Sequence, residues 1–390
     1  MNQTLSEALQ APAAQTPATP KARIPELDGL RGIAVLLVVL YHFIVPFGPY
    51  SNRVANAFYN AFRIGWAGVD LFFVLSGFLI GGILLDARES NTYFKTFYLR
   101  RIFRIFPIYY VWISIFFVLL AALSTRVAQQ IGVLRGGWST VPVFAFYLQN
   151  TWKLNPAMRS PWLAHLWSLA VEEQFYLVIP CLIRFLPRRR LVHLLVATVF
   201  LTPLTRVVLV CYFPHHAMAQ YRLTICRADA LAAGVLLAIL WRDKDALSWI
   251  LNHRKAMYAV FASLSLGVVG LATFHPGQFG LLSVIGYSCI DLFFTNLLLW
   301  TLLAPKGTWG AFCRWSFLTG LGGVSYCVYI IHLAANAVCH AVLARSGGGI
   351  STWPGLLATI VAAGVTWLVA TISWRFFESP LLRRGHAFRY

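Results

Sequence analysis

The chain has 390 residues, of which 59% are hydrophobic and only 12% are charged, and its mean hydropathy is +0.68. Soluble domains carry roughly 25% charged residues, so this composition excludes an ordinary water-soluble fold. The formal net charge is +19. Lys and Arg fall in short clusters between apolar segments, however, which indicates membrane topology and argues against nucleic acid as a partner.

The N-terminal residues 1–24 are rich in Ala, Gln, Thr and Pro and contain neither a basic n-region nor an apolar h-region. We therefore expect a disordered cytoplasmic tail and no cleaved signal peptide.

Ten apolar segments follow, and about 20 apolar residues in a helix cross a hydrocarbon core of about 30 Å. They cover residues 31–47, 66–85, 104–123, 165–186, 191–213, 226–241, 256–274, 280–303, 321–343 and 354–377. The stretch 141–147 is too short to cross and is predicted to be re-entrant or interfacial. The sequence thus predicts an all-α fold, a polytopic membrane bundle of about ten transmembrane helices. It forms one domain, residues 25–380, before a short cytoplasmic tail, residues 381–390.

The basic residues predict the orientation of this bundle. With the N-terminus inside, alternate connections hold the dense Lys and Arg clusters. Counting 141–147 as a crossing would move the cluster Arg184–Arg190 outside, against the positive-inside tendency. We therefore expect ten crossings with both termini in the cytoplasm.

The first segment carries two ionisable residues, Arg31 and His42, which are 11 residues apart. A helix turns about 100° per residue, so residues 11 positions apart lie on one helical face, separated by about 16 Å along the helix axis. Ionisable groups inside a membrane are costly and are functional candidates by default. Arg31 would hold an anion near the cytoplasmic end, and His42 would transfer a proton deeper in the membrane. The alternative is an orienting Arg and a His bonded across a helix interface.

Polar residues also interrupt the second segment and begin the third. Asp70 is predicted to pair with an Arg or His of a neighbouring helix, in a structural or a catalytic role, and Ser76 favours close helix packing. Arg101 and Arg104 stand three residues apart at the entry to the third helix, where both can bind phosphate groups. The other explanation is that these two arginines only mark the cytoplasmic end of a transmembrane helix, where basic residues are common.

Two later segments contain further polar patterns. The adjacent Glu172 and Glu173 are hard to explain by packing and indicate either partners for Arg or an acid/base pair. Ser325, Tyr329 and His332 share one helical face by their spacing, for which a polar seam between helices is the alternative. The seven cysteines contain no Cys-x-x-Cys pair, so neither a disulfide framework nor a metal site is expected.

Together these segments resemble the acyltransferase type 3 family of bacterial inner-membrane proteins, which modify glycans and other hydroxylated acceptors. The resemblance covers roughly residues 25–380. It rests on Leu-Asp-Gly-Leu-Arg-Gly at 27–32, Tyr-His-Phe at 41–43, Phe-Phe-Val-Leu-Ser-Gly-Phe at 72–78, the pair Arg101 and Arg104, and residues 168–176 and 325–332.

The resemblance implies roles for several residues. Arg31 and His42 match an essential pair, with His42 the leading catalytic candidate. Arg101 and Arg104 match a motif that contacts the acyl-CoA donor from the cytoplasm. Glu172 and Glu173 match a Glu pair of less settled role. Some members also carry a periplasmic esterase-like domain, which we do not expect here, so direct transfer and delivery to another protein both stay open.

These patterns and the resemblance lead to one hypothesis, an O-acyltransferase of the bacterial inner membrane. Acyl-CoA, with acetyl-CoA expected, would bind near Arg101 and Arg104, and His42 would act as general base on a hydroxyl of a glycan or other acceptor. A covalent acyl-histidine intermediate is an alternative. The rival functions are a proton-coupled transporter or flippase, whose buried acids and histidines would relay protons, and a non-catalytic scaffold.

Overall fold

A computed structural model describes residues 24–133, 140–151, 160–213, 217–273, 281–344 and 349–390. This part of the chain is helical and contains no strand, which confirms the all-α prediction. The predicted disordered tail lies outside the described residues except for Ile24.

The helices are described in chain order. They are α1 (Pro25–Ile44), α2 (Arg53–Phe62), α3 (Gly68–Asp86), α4 (Tyr93–Ala122), α5 (Thr125–Gln130), α6 (Val141–Ala145), α7 (Trp167–Phe185), α8 (Arg188–Tyr212), α9 (Ala217–Arg222), α10 (Ala228–Leu240), α11 (Lys244–Asn252), α12 (Arg254–Thr273), α13 (Leu281–Leu303), α14 (Thr308–Cys313), α15 (Ser316–Cys339), α16 (Trp353–Ser373) and α17 (Ser379–His386).

Nine helical stretches in the described residues are long and apolar enough to cross a membrane. The remaining predicted crossing, the sixth in chain order, is α10, whose 13 residues reach only about 20 Å at 1.5 Å per residue. Its flanking residues pair with the two ends of α3, Arg227 with Asp70 and Arg242 with Asp86. Most of α10 is buried in protein, so it does not need the length that lipid contact would impose.

The start predicted for the third transmembrane helix is wrong. The helix α4 begins at Tyr93, 11 residues before the predicted start at 104. Its first turns were missed because only one face is apolar, with Tyr93 and Phe97 buried. Arg101 and Arg104 therefore lie two to three turns inside α4. The predicted short stretch, 141–147, contains only the five-residue helix α6.

The helices α1 and α15 touch backbone to backbone. A Cβ atom at Gly32 would lie 2.1 Å from the carbonyl oxygen of Leu318, and one at Gly322 would lie 1.9 Å from that of Asp28. Only glycine permits such an approach. It brings Arg31 within 3.2 Å of Ser325, to whose Oγ the guanidinium donates.

The basic connections meet at one end of the bundle. Arg88 donates to the carbonyl oxygen of Leu186 at 2.8 Å, Arg188 pairs with Asp243 at 2.6 Å, and Arg314 pairs with Glu26 at 2.5 Å. The first two contacts join the connections α3–α4, α7–α8 and α10–α11 to one another, and the third joins the connection α14–α15 to the start of α1. We call this the basic end, and the opposite end, toward which His42 lies, the His42 end.

Candidate active site

A cavity of about 220 Å³ lies between α1, α3, α4, α7 and α15. Eight of the 11 residues singled out from the sequence line it, namely Arg31, Ser76, Arg101, Arg104, Glu172, Glu173, Ser325 and Tyr329. We call it the arginine cavity. The spacing of these residues along each helix places them on one face, and the docking of the five helices brings the faces together.

The arginine cavity has an excess of positive charge. Three guanidinium groups, of Arg31, Arg101 and Arg104, face two carboxylates. Ser76 Oγ donates to Glu172 Oε1 at 2.5 Å, which holds that carboxylate against α3. Guanidinium groups bind phosphate oxygens through paired hydrogen bonds, so the lining suits an anionic, phosphate-bearing ligand.

A smaller cavity of about 140 Å³, the vestibule, adjoins the arginine cavity toward the basic end. Arg101 and Arg104 line both spaces, and Arg100, His386 and Tyr390 line the vestibule. A positively charged surface thus continues from the basic end of the bundle into its interior.

Tyr329 stands at the other end of the arginine cavity. Its hydroxyl donates to the carbonyl oxygen of His165 at 3.0 Å and lies 2.6 Å from Ser168 Oγ. Tyr329 and Val69 line both the arginine cavity and a chamber on the side of His42. A ligand that extends from Arg31 to His42 must therefore pass Tyr329.

Three buried or half-buried histidines lie beyond Tyr329. The ring centroid of His332 lies 5.0 Å from that of His42 and 5.0 Å from that of His165. His332 Nε2 and His42 Nδ1 are 3.1 Å apart, and His332 Nδ1 is 2.7 Å from the carbonyl oxygen of Tyr329.

These hydrogen bonds fix the tautomers of the neutral rings. A carbonyl oxygen only accepts, so His332 Nδ1 carries a proton and His332 Nε2 holds a lone pair. His42 Nδ1 must then donate to His332, which leaves the lone pair of His42 on Nε2. This is the arrangement that a general base requires.

His42 lines two chambers at the His42 end. The aromatic chamber, about 410 Å³, is also lined by Tyr41, Trp66, Trp167, Tyr221, Arg222 and Tyr287. The amide chamber, about 720 Å³, is also lined by Phe47, Gln129, Gln130, Asn336 and His340. His42 thus lies where the two chambers meet, on the far side of Tyr329 from the arginine cavity.

Asp70 lies outside the arginine cavity. It forms a fully buried ion pair with Arg227, and a second buried pair joins Arg206 to Asp229. The guanidinium of Arg227 also lies 4.8 Å from the ring centroid of Tyr287. These pairs connect α3, α8 and α10, so the expected pairing of Asp70 with a neighbouring Arg takes the form of a helix-to-helix link.

Two polar residues of this region, Asn336 and His340, were not predicted from the sequence. Asn336 and His340 follow His332 at intervals of four residues, so the same spacing that grouped Ser325, Tyr329 and His332 would have found them. The hydrogen bond between His42 and His332 had no such signal, because it joins residues 290 positions apart.

Comparison with known proteins gives matches over most of the chain. The family model described as an acyltransferase domain matches residues 24–375. The peptidoglycan O-acetyltransferase OatA of Listeria monocytogenes is 28% identical over 376 residues, and the putative peptidoglycan O-acetyltransferase YrhL of Bacillus subtilis is 30% identical over 379. The O-acetyltransferase OatA of Staphylococcus aureus is 27% identical over 380 residues.

These alignments cover 93% of this chain in each case, but only 56%, 55% and 58% of the respective relatives. The chain therefore spans little more than half the length of the curated relatives it matches. No solved structure matches it.

Proposed function

Since this chain belongs to the acyltransferase family whose domain model matches residues 24–375, and is thus an acyltransferase enzyme, we propose that it is a membrane-embedded O-acetyltransferase. Its acceptor is a hydroxyl group of a cell-envelope glycan, in keeping with relatives named for peptidoglycan O-acetylation. Membership of an acyltransferase family favours this activity over the transporter and scaffold alternatives.

The observation that carries the proposal is a single polar stripe on α15. Ser325 contacts Arg31 in the arginine cavity, Tyr329 lines both that cavity and the aromatic chamber, and His332 bonds His42. The stripe thus joins an anion-binding space at one end of the bundle to a general base in the other half. A donor with phosphates at one end and a reactive acyl group at the other fits this arrangement.

The donor that we propose is acetyl-CoA, bound from the basic end. Its phosphates lie against Arg101 and Arg104, with Arg31 deeper in the same cavity. The pantetheine arm then passes Tyr329 and carries the thioester toward His42. Arg31 and His42 are separated by about 16 Å along α1, which is the distance that the arm must cover.

Transfer at His42 requires one proton exchange. His42 Nε2 takes the proton of the acceptor hydroxyl while its oxygen attacks the thioester carbonyl carbon. The carbon–sulfur bond breaks, and the departing CoA thiolate takes up the proton that His42 releases, so acetyl-CoA and an alcohol give an acetyl ester and CoA. Proton transfer to a positioned base contributes typically 10²- to 10⁴-fold to the rate.

The location follows from the charge distribution. We propose a multi-pass protein of the bacterial inner membrane, with both termini and the basic end in the cytoplasm, where acetyl-CoA is made. The dense Lys and Arg connections at that end agree with the positive-inside tendency.

The decisive experiment measures thiol release from acetyl-CoA by the purified protein in detergent, together with direct binding of acetyl-CoA. His42→Ala is expected to lower kcat by about 10²- to 10⁴-fold with little change in donor affinity. Arg101→Ala/Arg104→Ala is expected to weaken donor binding at least about tenfold, since hydrogen bonds to charged groups are worth about 1.5–3 kcal/mol.

Matched controls come from exposed residues that line neither the arginine cavity nor the vestibule. His193→Ala and Arg189→Ala/Arg190→Ala change the same residue types on α8 and are expected to leave both readouts unaltered. Wild-type turnover in His42→Ala would contradict the role of the base. A protein that neither binds nor cleaves acetyl-CoA or longer acyl-CoAs would contradict the proposed activity.

A further inference from the structure

The polar stripe of α15 continues past His332 into the amide chamber. His332 and Asn336 lie four residues apart on one side of α15, and His340 follows four residues later, in the turn directly after the last residue of the helix. Asn336 and His340 line the chamber together with His42. The stripe therefore leads from the proposed base to a second group of polar side chains.

Two buried atoms of this group have no hydrogen-bond partner among the described residues, Asn336 Oδ1 and His340 Nδ1. Both side chains are more than nine-tenths buried, with 4% and 7% exposed. Buried polar groups in proteins are almost always hydrogen-bonded, and an exception calls for a ligand or another explanation.

The two atoms are both acceptors. Asn336 Oδ1 is a carbonyl oxygen. Thr359 Oγ1 donates to the carbonyl oxygen of Gly355 at 3.0 Å, so it accepts from His340 Nε2, which lies 3.0 Å away. The neutral ring of His340 then holds its lone pair on Nδ1. Phe47 stacks on this ring at 5.5 Å between centroids and keeps its orientation.

The lining of the amide chamber contains no Lys, Arg, Asp or Glu among the described residues. The exposed side chains of Gln129 and Gln130, on α5, add amide donors and acceptors at its edge. This contrasts with the three guanidinium groups of the arginine cavity. A neutral ligand that presents several O–H donors matches such a lining, whereas a phosphate or carboxylate finds no Lys or Arg among the described residues that line it.

We infer that the amide chamber is the acceptor subsite, in which Asn336 and His340, whose acceptor atoms are covered in this structure, turn toward the chamber and accept hydrogen bonds from hydroxyl groups of a neutral sugar while Gln129 and Gln130 bind its outer part. The inference rests on the proposed O-acetyltransferase activity and adds to it the site and the charge of the acceptor. The aromatic chamber is less suited to a neutral ligand with many hydroxyl groups, because its described lining holds no side-chain amide and contains the cation Arg222.

The test uses the full-length protein with acetyl-CoA and two probes, the neutral oligosaccharide tetra-N-acetylchitotetraose and an anionic oligogalacturonate. CoA release is measured as each probe is added. The neutral probe is expected to stimulate release in the wild type. Asn336→Leu and His340→Leu are each expected to raise the probe concentration for half-maximal stimulation by about tenfold, with the half-maximal concentration of acetyl-CoA changed by less than about twofold.

A second variant tests the same subsite without altering a buried side chain, so that its effect cannot come from misfolding. Gln129→Ala/Gln130→Ala alters only exposed side chains and is expected to raise the same probe concentration by about threefold or more. Asn296→Leu, on α13 and outside both chambers, is the matched control and is expected to change neither value.

The outcomes separate this inference from the proposed function. Absence of His42-dependent CoA release would refute the proposed function itself. When that release is present, stimulation by the anionic probe alone, or by neither probe, overturns the neutral acceptor subsite. Stimulation by the neutral probe that is unaltered in the Asn336, His340 and glutamine variants overturns the assignment to the amide chamber.

Discussion

At the scale of single residues, the hydrogen bond between His332 Nε2 and His42 Nδ1 decides whether His42 can act as a base. It orients the ring and selects the tautomer with the lone pair on Nε2. His332 is a positioning residue in this scheme, since it acts through His42. We expect His332→Phe to lower kcat by about 10²-fold while the KM for acetyl-CoA stays nearly constant.

The conservative variant His332→Gln tests whether this loss reflects positioning or damaged packing. A glutamine carbonyl oxygen can still accept from His42 Nδ1, so this variant is expected to recover a large part of the rate lost in His332→Phe. Steady-state kinetics of both variants supply the comparison. Equal losses in the two, or wild-type kcat in His332→Phe, would argue against the positioning role.

The sequence predicts contacts between residues that are close along the chain better than contacts between residues that are far apart along it. Helical periodicity predicted that Ser325, Tyr329 and His332 share a face, and it is this face that runs from the arginine cavity to His42. Periodicity could not predict the partners of that face. They depend on how α15 docks against α1 and α7, which is set by long-range packing and not by local spacing.

At the scale of helices, α3 and α10 are held together by two glycines that face each other. A Cβ atom at Gly234 would lie 2.2 Å from the carbonyl oxygen of Val74, and one at Gly77 would lie 2.2 Å from that of Leu231. We expect Gly234→Ala to separate the helices and destabilise the fold by about 1–3 kcal/mol, as overpacking typically does.

Thermal unfolding in detergent measures this effect. Gly364→Ala on α16 is the control, because a Cβ there meets nothing within 4 Å, and its Tm is expected to stay constant or rise slightly through better helix propensity. An equal Tm for Gly234→Ala and wild type would mean that the two backbones do not touch at this crossing.

The helices α4 and α10 show how the surroundings of a helix change its sequence pattern. α10 is apolar on all sides because it is buried, and it is short because its neighbours, not lipid, surround it. The first turns of α4 are polar on one side, so an apolar window begins too late. The late start predicted for α4 and the short length of α10 both reflect what surrounds the helix, which the sequence of that helix does not contain.

At the scale of the whole molecule, the distribution of charge determines which substrates the protein can reach. The positive lining of the vestibule and the arginine cavity opens toward the basic end, and the uncharged lining described for the amide chamber lies in the other half. A phosphate-bearing donor and a neutral acceptor would thus enter from opposite faces of the membrane. This division requires that the basic end face the cytoplasm.

Cysteine labelling tests that orientation. Ser51 and Glu89 are exposed residues in connections at the His42 end and the basic end, respectively. A membrane-impermeant maleimide is expected to label Ser51→Cys in intact spheroplasts and Glu89→Cys only after lysis, with labelling of the unaltered chain as the baseline, since Cys181 and Cys211 are exposed. The reverse pattern would place Arg101 and Arg104 toward the outside. The arginine cavity would then have no access to cytoplasmic acetyl-CoA, and the direction of transfer proposed here would be wrong.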